Sequence, residues 1–213
     1  MDLVVGATGI LGTEICRRLR AREEDVRAFV RKTSDPVKIE RLKSFGCQIA
    51  TGDLQDKASL DRACKGIGVV VSTATTTVSR QPHDSIDQTD LQGQLNLIDA
   101  AERNDVKRFV LVSVSGNLEG DSRLHVAKRT VEEKLRESGI SYTILRPSCF
   151  MEIWLSPMLG FDPQNGKVQI FGEGDQPVSF ISLFDVAEFA VRAAQRDAAS
   201  IQPLGRAGPR PIR

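Results

Sequence analysis

Histidine is nearly absent from this chain of 213 residues, with two copies, and tyrosine and tryptophan occur once each. Four cysteines are present, but none stands in a Cys-x-x-Cys pair, so a metal centre lacks the clustered ligands it needs. Cys16, Cys47, Cys64 and Cys149 lie 31, 17 and 85 residues apart, and such scattered thiols fit a reducing cytosol and a cytoplasmic protein. No apolar run approaches the ~18 residues that cross a bilayer. The longest candidates, such as Phe109-Val110-Leu111-Val112, have strand length. No secretory leader is expected, because a strand-like Leu3-Val4-Val5 follows Met1-Asp2 at once. Nor is there an excess of charge: 29 Lys and Arg face 28 Asp and Glu, so no field draws nucleic acid or an anionic membrane. What is present, 40% hydrophobic residues with 17 glycines, is the composition of a globular protein of one or two domains.

The apolar pattern alternates between short β-branched runs and stretches of helical period. Strands are expected at Leu3–Val5, Val26–Val30, Cys47–Ala50, Val69–Val71, Arg108–Val114 and Ser141–Leu145. Helices fall between them, with apolar faces on Leu11, Ile15 and Leu19, on Ile39, Leu42 and Phe45, on Leu60 and Ala63, and on Leu91, Leu95 and Ile98. The last of these helices runs from about Arg123 to Ser138. Six β-α repeats of this kind predict an α/β fold: a doubly wound, Rossmann-like parallel sheet with helices on both faces. After Arg146 the rhythm breaks at Pro147, Pro157 and Pro163. A short helix near Met151–Leu159, a strand at Lys167–Phe171 and a helix over Leu183–Gln195 are expected there. Residues 1–146 thus read as a nucleotide-binding domain, 147–200 as a small substrate-side lobe of the same domain, and 201–213 as a disordered tail.

Gly6-Ala7-Thr8-Gly9-Ile10-Leu11-Gly12 lies between the first strand and the first helix. Glycines there let the backbone turn tightly and approach a pyrophosphate, whose charge sits on the helix amino end. An NAD site places an acid about 20 residues on, to hold the ribose 2′-hydroxyl. Here Arg31-Lys32 occupy positions 19 and 20 past Gly12, which favours the 2′-phosphate of NADP(H), with NAD(H) as the alternative. Two solvated basic residues at a loop would look the same. Asp53 and Leu54 can take the adenine amino group and ring, though Asp53 can equally cap the next helix. Thr73-Ala74 end the fourth strand, where small side chains suit close approach.

In order, Gly6 to Gly12, Val30-Arg31, Gly52-Asp53-Leu54, Val106 to Val110, Tyr142 to Pro147, and Phe180-Ile181-Ser182 with Asp185-Val186-Ala187 resemble the NmrA-like atypical short-chain dehydrogenases/reductases over roughly residues 2–197. The resemblance implies a Rossmann-like fold and an NAD(P)-binding site that includes Thr8, Ile10, Leu11, Lys128 and Pro147. It implies one of two functions. Some members are NADPH-dependent reductases of quinones and plant phenolics, acting on small molecules. Others bind NAD(P) without turnover and act as redox sensors through a protein partner, and a related plastid and cyanobacterial branch assists photosystem assembly.

Catalysis is where the chain departs from the wider superfamily. Short-chain dehydrogenases use Tyr-x-x-x-Lys, the lysine lowering the tyrosine's pKa. Lys128 matches the lysine, but Leu124 stands in place of the tyrosine, and the one phenol, Tyr142, lies in a strand. Lys128 is expected as the only charge on an inward stripe of Leu124, Val131 and Leu135, opposite a polar face of His125, Arg129, Glu132, Glu133 and Arg136. Ser113 and Ser115 are candidates for a catalytic serine or for ordinary strand-end residues. Phe150, Met151 and Trp154 are candidates for substrate contacts or for a small core.

Overall fold

A computed structural model describes residues 1–77, 81, 84–116, 121–170, 172–175 and 177–195. Six strands form one parallel sheet: β1 (Asp2–Val5), β2 (Val26–Val30), β3 (Gln48–Thr51), β4 (Val69–Ser72), β5 (Arg108–Val112) and β6 (Ser141–Leu145). Their spatial order is β3-β2-β1-β4-β5-β6, so the chain reverses direction across the sheet between β1 and β4. That reversal opens a crevice at the carboxyl ends of the strands. Several strand ends differ from expectation by a residue or two: β1 starts at Asp2, β3 runs Gln48–Thr51, and β4 reaches Ser72. β5 stops at Val112, two residues short of Val114, although Ser113 still gives its backbone N–H to Leu145 O (2.8 Å); the Ser113 hydroxyl turns to another partner.

The strand side chains feed two cores, one on each face. Val4, Ala28, Val71 and Val110 pack on one side with Leu11, Ile15 and Leu19 of α1 (Ile10–Ala21). Leu3, Val5, Val70 and Phe109 pack on the other with Leu97, Val131 and Leu135. Three of the helices start where a short polar side chain caps them. Asp35 accepts from Val37 N ahead of α2 (Pro36–Ser44), Asp56 from Ser59 N ahead of α3 (Lys57–Cys64), and Ser122 from His125 N ahead of α5 (Arg123–Glu137). The cap of α3 is therefore Asp56 and not Asp53, which accepts instead from Gln55 N at 2.8 Å.

Between β4 and β5 the helix is not uniform. Ile86–Gly93 winds as a π-helix and runs straight into α4 (Gln94–Arg103). Wider winding shifts the phase, so Gln94 and Leu97 are fully buried while Leu91 and Leu95 are only half-buried. It also carries Asp90 inward, where it is fully buried.

Past β6 the chain forms β7 (Cys149–Phe150), a single helical turn α6 (Met151–Trp154), a short hairpin of β8 (Phe161–Asp162) and β9 (Lys167–Val168), and β10 (Phe180–Ile181), which pairs parallel with β7. The single helix expected over Met151–Leu159 is broken, because Ser156-Pro157 starts a separate 3-10 turn over Pro157–Leu159. The strand expected to reach Phe171 ends at Val168, and Phe171 lies outside the described residues. The same holds for the tail expected over 201–213. Finally α7 (Leu183–Gln195) returns to pack on α1, and Glu188 accepts from Arg18 of that helix and from Arg22 just past its end. Those arginines, with Arg192, hold the Glu188 carboxyl down at about 2. Among the described residues no helix is long and apolar enough to cross a membrane.

Candidate functional site

The glycine turn sits at the carboxyl end of β1. Gly6 has φ +82°, and a Cβ there would stand 2.6 Å from Thr73 Oγ1 and 2.8 Å from Ala74 N. At Gly12 a Cβ would come within 2.2 Å of Gly6 O. These two glycines let β1, β4 and α1 approach one another. Gly9 differs: it is exposed, lies in extended conformation, and a Cβ would meet only Gly6 O at 3.2 Å. As N-cap of α1 it offers no side-chain acceptor, and no acid stands in the first turn. The first N–H groups of the helix are thus left for an anion to satisfy. Thr8 is half-buried and Ile10 is 53% exposed beside that end, while the Leu11 side chain is buried in the core, so Leu11 can offer an anion only its backbone. The cradle fits a dinucleotide pyrophosphate.

The other expected cofactor residues stand at neighbouring strand ends on the same edge of the sheet. Arg31 and Lys32 follow β2, Asp53 and Leu54 follow β3, and Thr73 and Ala74 follow β4. Thr73 donates its hydroxyl to Val5 O (3.2 Å), and Ala74 O accepts from Gln94 Nε2 (3.0 Å). Asp53 is exposed, and Leu54 is half-buried against Gly93 of the π-helix. Lys32 is exposed, whereas Arg31 Nη1 lies 2.8 Å from both carboxylate oxygens of Asp84.

Lys128 is buried as expected, with its side chain 3% exposed, and Nζ stands 2.9 Å from Asp90 Oδ1. The other oxygen of Asp90 accepts from Thr76 N (3.1 Å) and Thr76 Oγ1 (2.7 Å), just past the end of β4. Burial pushes the Asp90 carboxyl up, but the Lys128 charge and bonds from Thr75, Thr76 and Lys128 outweigh it and hold the group below the usual carboxylate range.

The face assigned to Glu132 needs correction. It is fully buried, not solvated. Its carboxylate accepts from Ser113 Oγ (2.6 Å), Arg146 and Arg129, and from Arg136 (3.2 Å). Burial raises its pKa, but the bonds from Arg146 and Ser113 and the charges of Arg129 and Arg146 outweigh that, for a net fall. Glu132 lies four residues past Lys128, on the same side of a helix, and that spacing was the signal for its burial. Ser113 is consequently committed to Glu132. Ser115 is buried, and its carbonyl accepts from Arg129 (3.0 Å).

Pro147 is buried at the end of β6, and the next hydroxyl, Ser148 Oγ, is buried without a hydrogen-bond partner among the described residues. His125, expected on the solvated face, is half-buried: Ser122 Oγ lies 2.7 Å from its Nδ1, and Nε2 is buried and unpartnered. No sequence pattern pointed to Ser148 or Asp90. Phe150 packs on the core beside α7, Met151 is half-buried, and Trp154 is 43% exposed. Glu152 ties this segment down, accepting from Ser182 Oγ (2.5 Å) and Leu183 N (2.8 Å) at the start of α7.

A parallel sheet with its reversal between β1 and β4, and a glycine turn opening an uncapped helix beside it, define a dinucleotide-binding α/β protein. The family model described as NAD(P)H-binding matches residues 6–197, and the chain belongs to that family, within the NmrA-like, atypical short-chain dehydrogenase/reductase class. It is 34% identical over 195 residues to the photosystem II assembly factor of Cyanophora paradoxa, covering 90% of this chain and 58% of that one. It is 30% identical over 214 residues to the NAD(P)H azoreductase of Xenophilus azovorans, covering 100% of this chain and 69% of the azoreductase. Among solved structures, the NADPH-dependent quinone oxidoreductase of Escherichia coli, complexed with NADPH, superposes with a TM-score of 0.73 at 25% identity, over 92% of this chain and 65% of the other. The Citrobacter triphenylmethane reductase shares the fold at a TM-score of 0.73 and 22% identity, over 92% of this chain and 66% of that one. The chain thus spans about three-fifths of the length of the assembly factor, at 58%.

Proposed function

We propose that this protein binds NADP(H) and reduces a small carbonyl, quinone or conjugated compound. The observation that carries the reading is the buried Lys128 ammonium, held by Asp90 on the cofactor side of the sheet, next to the chain leaving β4. The bound nucleotide supplies hydride. Gly9 and the amino end of α1 would receive the pyrophosphate, Arg31 and Lys32 the 2′-phosphate, Asp53 and Leu54 the adenine, and Thr73, Ala74 and Pro147 the ribose and nicotinamide side. Lys128 would orient the ribose and polarise the substrate oxygen, with Ser115 nearby and solvent or the substrate giving the proton that a tyrosine would otherwise supply. Phe150, Met151 and Trp154, in the residues after Arg146, would face the substrate. The described cysteines are free, which supports a reducing, cytoplasmic setting. Likeness to NADPH-dependent reductases and to an azoreductase supports the reaction class.

A second reading, a regulator that binds NAD(P)(H) and signals to a protein partner, draws on Leu124 in place of tyrosine and on the use of Ser113 by Glu132. It also draws on the likeness to an assembly factor. Titration calorimetry with NADPH and NADH, followed by NADPH oxidation with a panel of quinones and enals, separates the two. The reductase reading expects NADPH to bind at least ~10-fold more tightly than NADH and turnover to exceed the blank rate. Binding without turnover across the panel favours the regulator.

A further inference from the structure

An acid that the sequence does not place near the end of β2 is brought there by the fold. Arg31 and Asp84 are 53 residues apart, yet Arg31 Nη1 lies 2.8 Å from Oδ1 and 2.8 Å from Oδ2. The pair is partly sheltered, with side chains 32% and 14% exposed. Asp84 is not a passing counterion. Gln81 N donates to Asp84 Oδ2 (2.9 Å), and Asp84 N donates to Gln81 O (3.0 Å). The Gln81 side chain is itself fixed to the chain after β2, accepting from Thr33 Oγ1 (2.6 Å) and donating to Thr33 O (3.3 Å). Arg31 is steadied from its own side, where its N–H donates to Ser34 Oγ (3.1 Å). A carboxylate is therefore built against the cation that would read the cofactor's ribose.

We propose that Asp84 sets the nucleotide preference of the site by competing with the 2′-phosphate for Arg31. The inference rests on the dinucleotide reading above. An NAD site needs a carboxylate at the end of β2 to accept the 2′-hydroxyl, and Asp84 supplies one through space rather than through sequence. A 2′-phosphate needs the guanidinium and is repelled by the carboxylate beside it, so it binds only by displacing Asp84 from Arg31. Lys32, exposed and in no ion pair among the described residues, remains for the phosphate in either state. Asp84 thus weakens NADP(H) and supports NAD(H), narrowing the discrimination that Arg31-Lys32 alone would give.

Calorimetric titration of the wild type, Asp84→Asn, Arg31→Ala and the double variant with NADP+ and NAD+ tests this, with circular dichroism as the check on folding. Asparagine keeps an oxygen for the Gln81 N–H while removing the charge. Asp84→Asn is expected to raise the ratio of NADP+ to NAD+ affinity about tenfold, and to have no such effect when Arg31 is already alanine. A ratio unchanged by Asp84→Asn, in proteins that bind both nucleotides, overturns the inference and leaves the dinucleotide reading standing. If Asp84→Asn does not fold, Asp84→Ser is read by the same ratio: a rise in NADP+ over NAD+ affinity supports the competition, and an unchanged ratio overturns it. A wild-type protein that binds neither nucleotide overturns both statements together.

Discussion

Lys128 Nζ stands 2.9 Å from Asp90 Oδ1, with the two side chains 3% and 0% exposed. A buried ion pair of this kind changes what a substitution at the lysine measures, because removing the ammonium leaves an uncompensated carboxylate in the interior. Lys128→Met is expected to cost ~3–5 kcal/mol in urea unfolding, and Lys128→Met with Asp90→Asn is expected to recover part of that loss. Turnover with the quinone and enal panel should fall by ~10² or more in both variants, since the double variant restores packing but not the charge. Full activity in the double variant would remove Lys128 from the catalytic machinery. Because the Asp90 pKa is depressed, its contribution is present at neutral pH and is lost only as pH falls below about 4.

Gly9 and Gly12 are expected to separate binding from folding. Gly9→Val adds a side chain at an exposed position with φ −75° and ψ 164°, which valine adopts without backbone strain, and its Cβ meets only Gly6 O, at 3.2 Å. It should abolish nucleotide binding in calorimetry while leaving the melting temperature near that of the wild type. Gly12→Ala drives a Cβ to 2.2 Å from Gly6 O and should cost ~1–3 kcal/mol of stability or more. Unchanged affinity in Gly9→Val would show that the turn serves the fold alone.

Glu132→Gln tests the arginine cluster. The carboxylate is fully buried and holds Ser113, Arg129, Arg136 and Arg146. Losing its charge should destabilise the protein by ~3 kcal/mol at pH 7. The folded pKa is depressed, so the wild type's advantage is present above the ordinary carboxylate pKa and fades as pH falls through the range below about 4. Denaturation of both proteins at pH 7 and pH 3 reads the change: the gap should close at the lower pH.

Asp2 has the opposite sign. Burial at the start of β1 pushes its carboxyl up to about 6, with Glu24 adding to the rise and the terminal ammonium opposing it. A carboxyl with a raised folded pKa is most stabilising when protonated, so stability should fall as pH rises from about 4 through 6. Asp2→Asn is expected to gain up to ~3 kcal/mol at pH 7 and to flatten stability between those pH values. An equal pH slope in the variant would place the dependence elsewhere.

The amino-acid sequence by itself determined the alternating order of strands and helices through β6, but not the break at Pro157 or the short strands β7, β8 and β10. Alternation of β-branched runs with helical stripes is a local property, and it located all six strands of the sheet and α7 at Leu183–Gln195. The glycine spacing located the tight turn between β1 and α1 for the same reason, since a close approach of backbone to backbone admits no Cβ at Gly6 or Gly12. Only the tertiary structure decided which charges meet. Arg31 with Asp84, Lys128 with Asp90, and Glu132 with Arg146 are joined across separate elements. Asp90 points inward because a π-helical segment shifts the phase of its turn. A buried charge finds its partner through the packing of helices and loops around the sheet. Hydrophobic period records which side of an element faces the core, but not which polar group the neighbouring element brings to it.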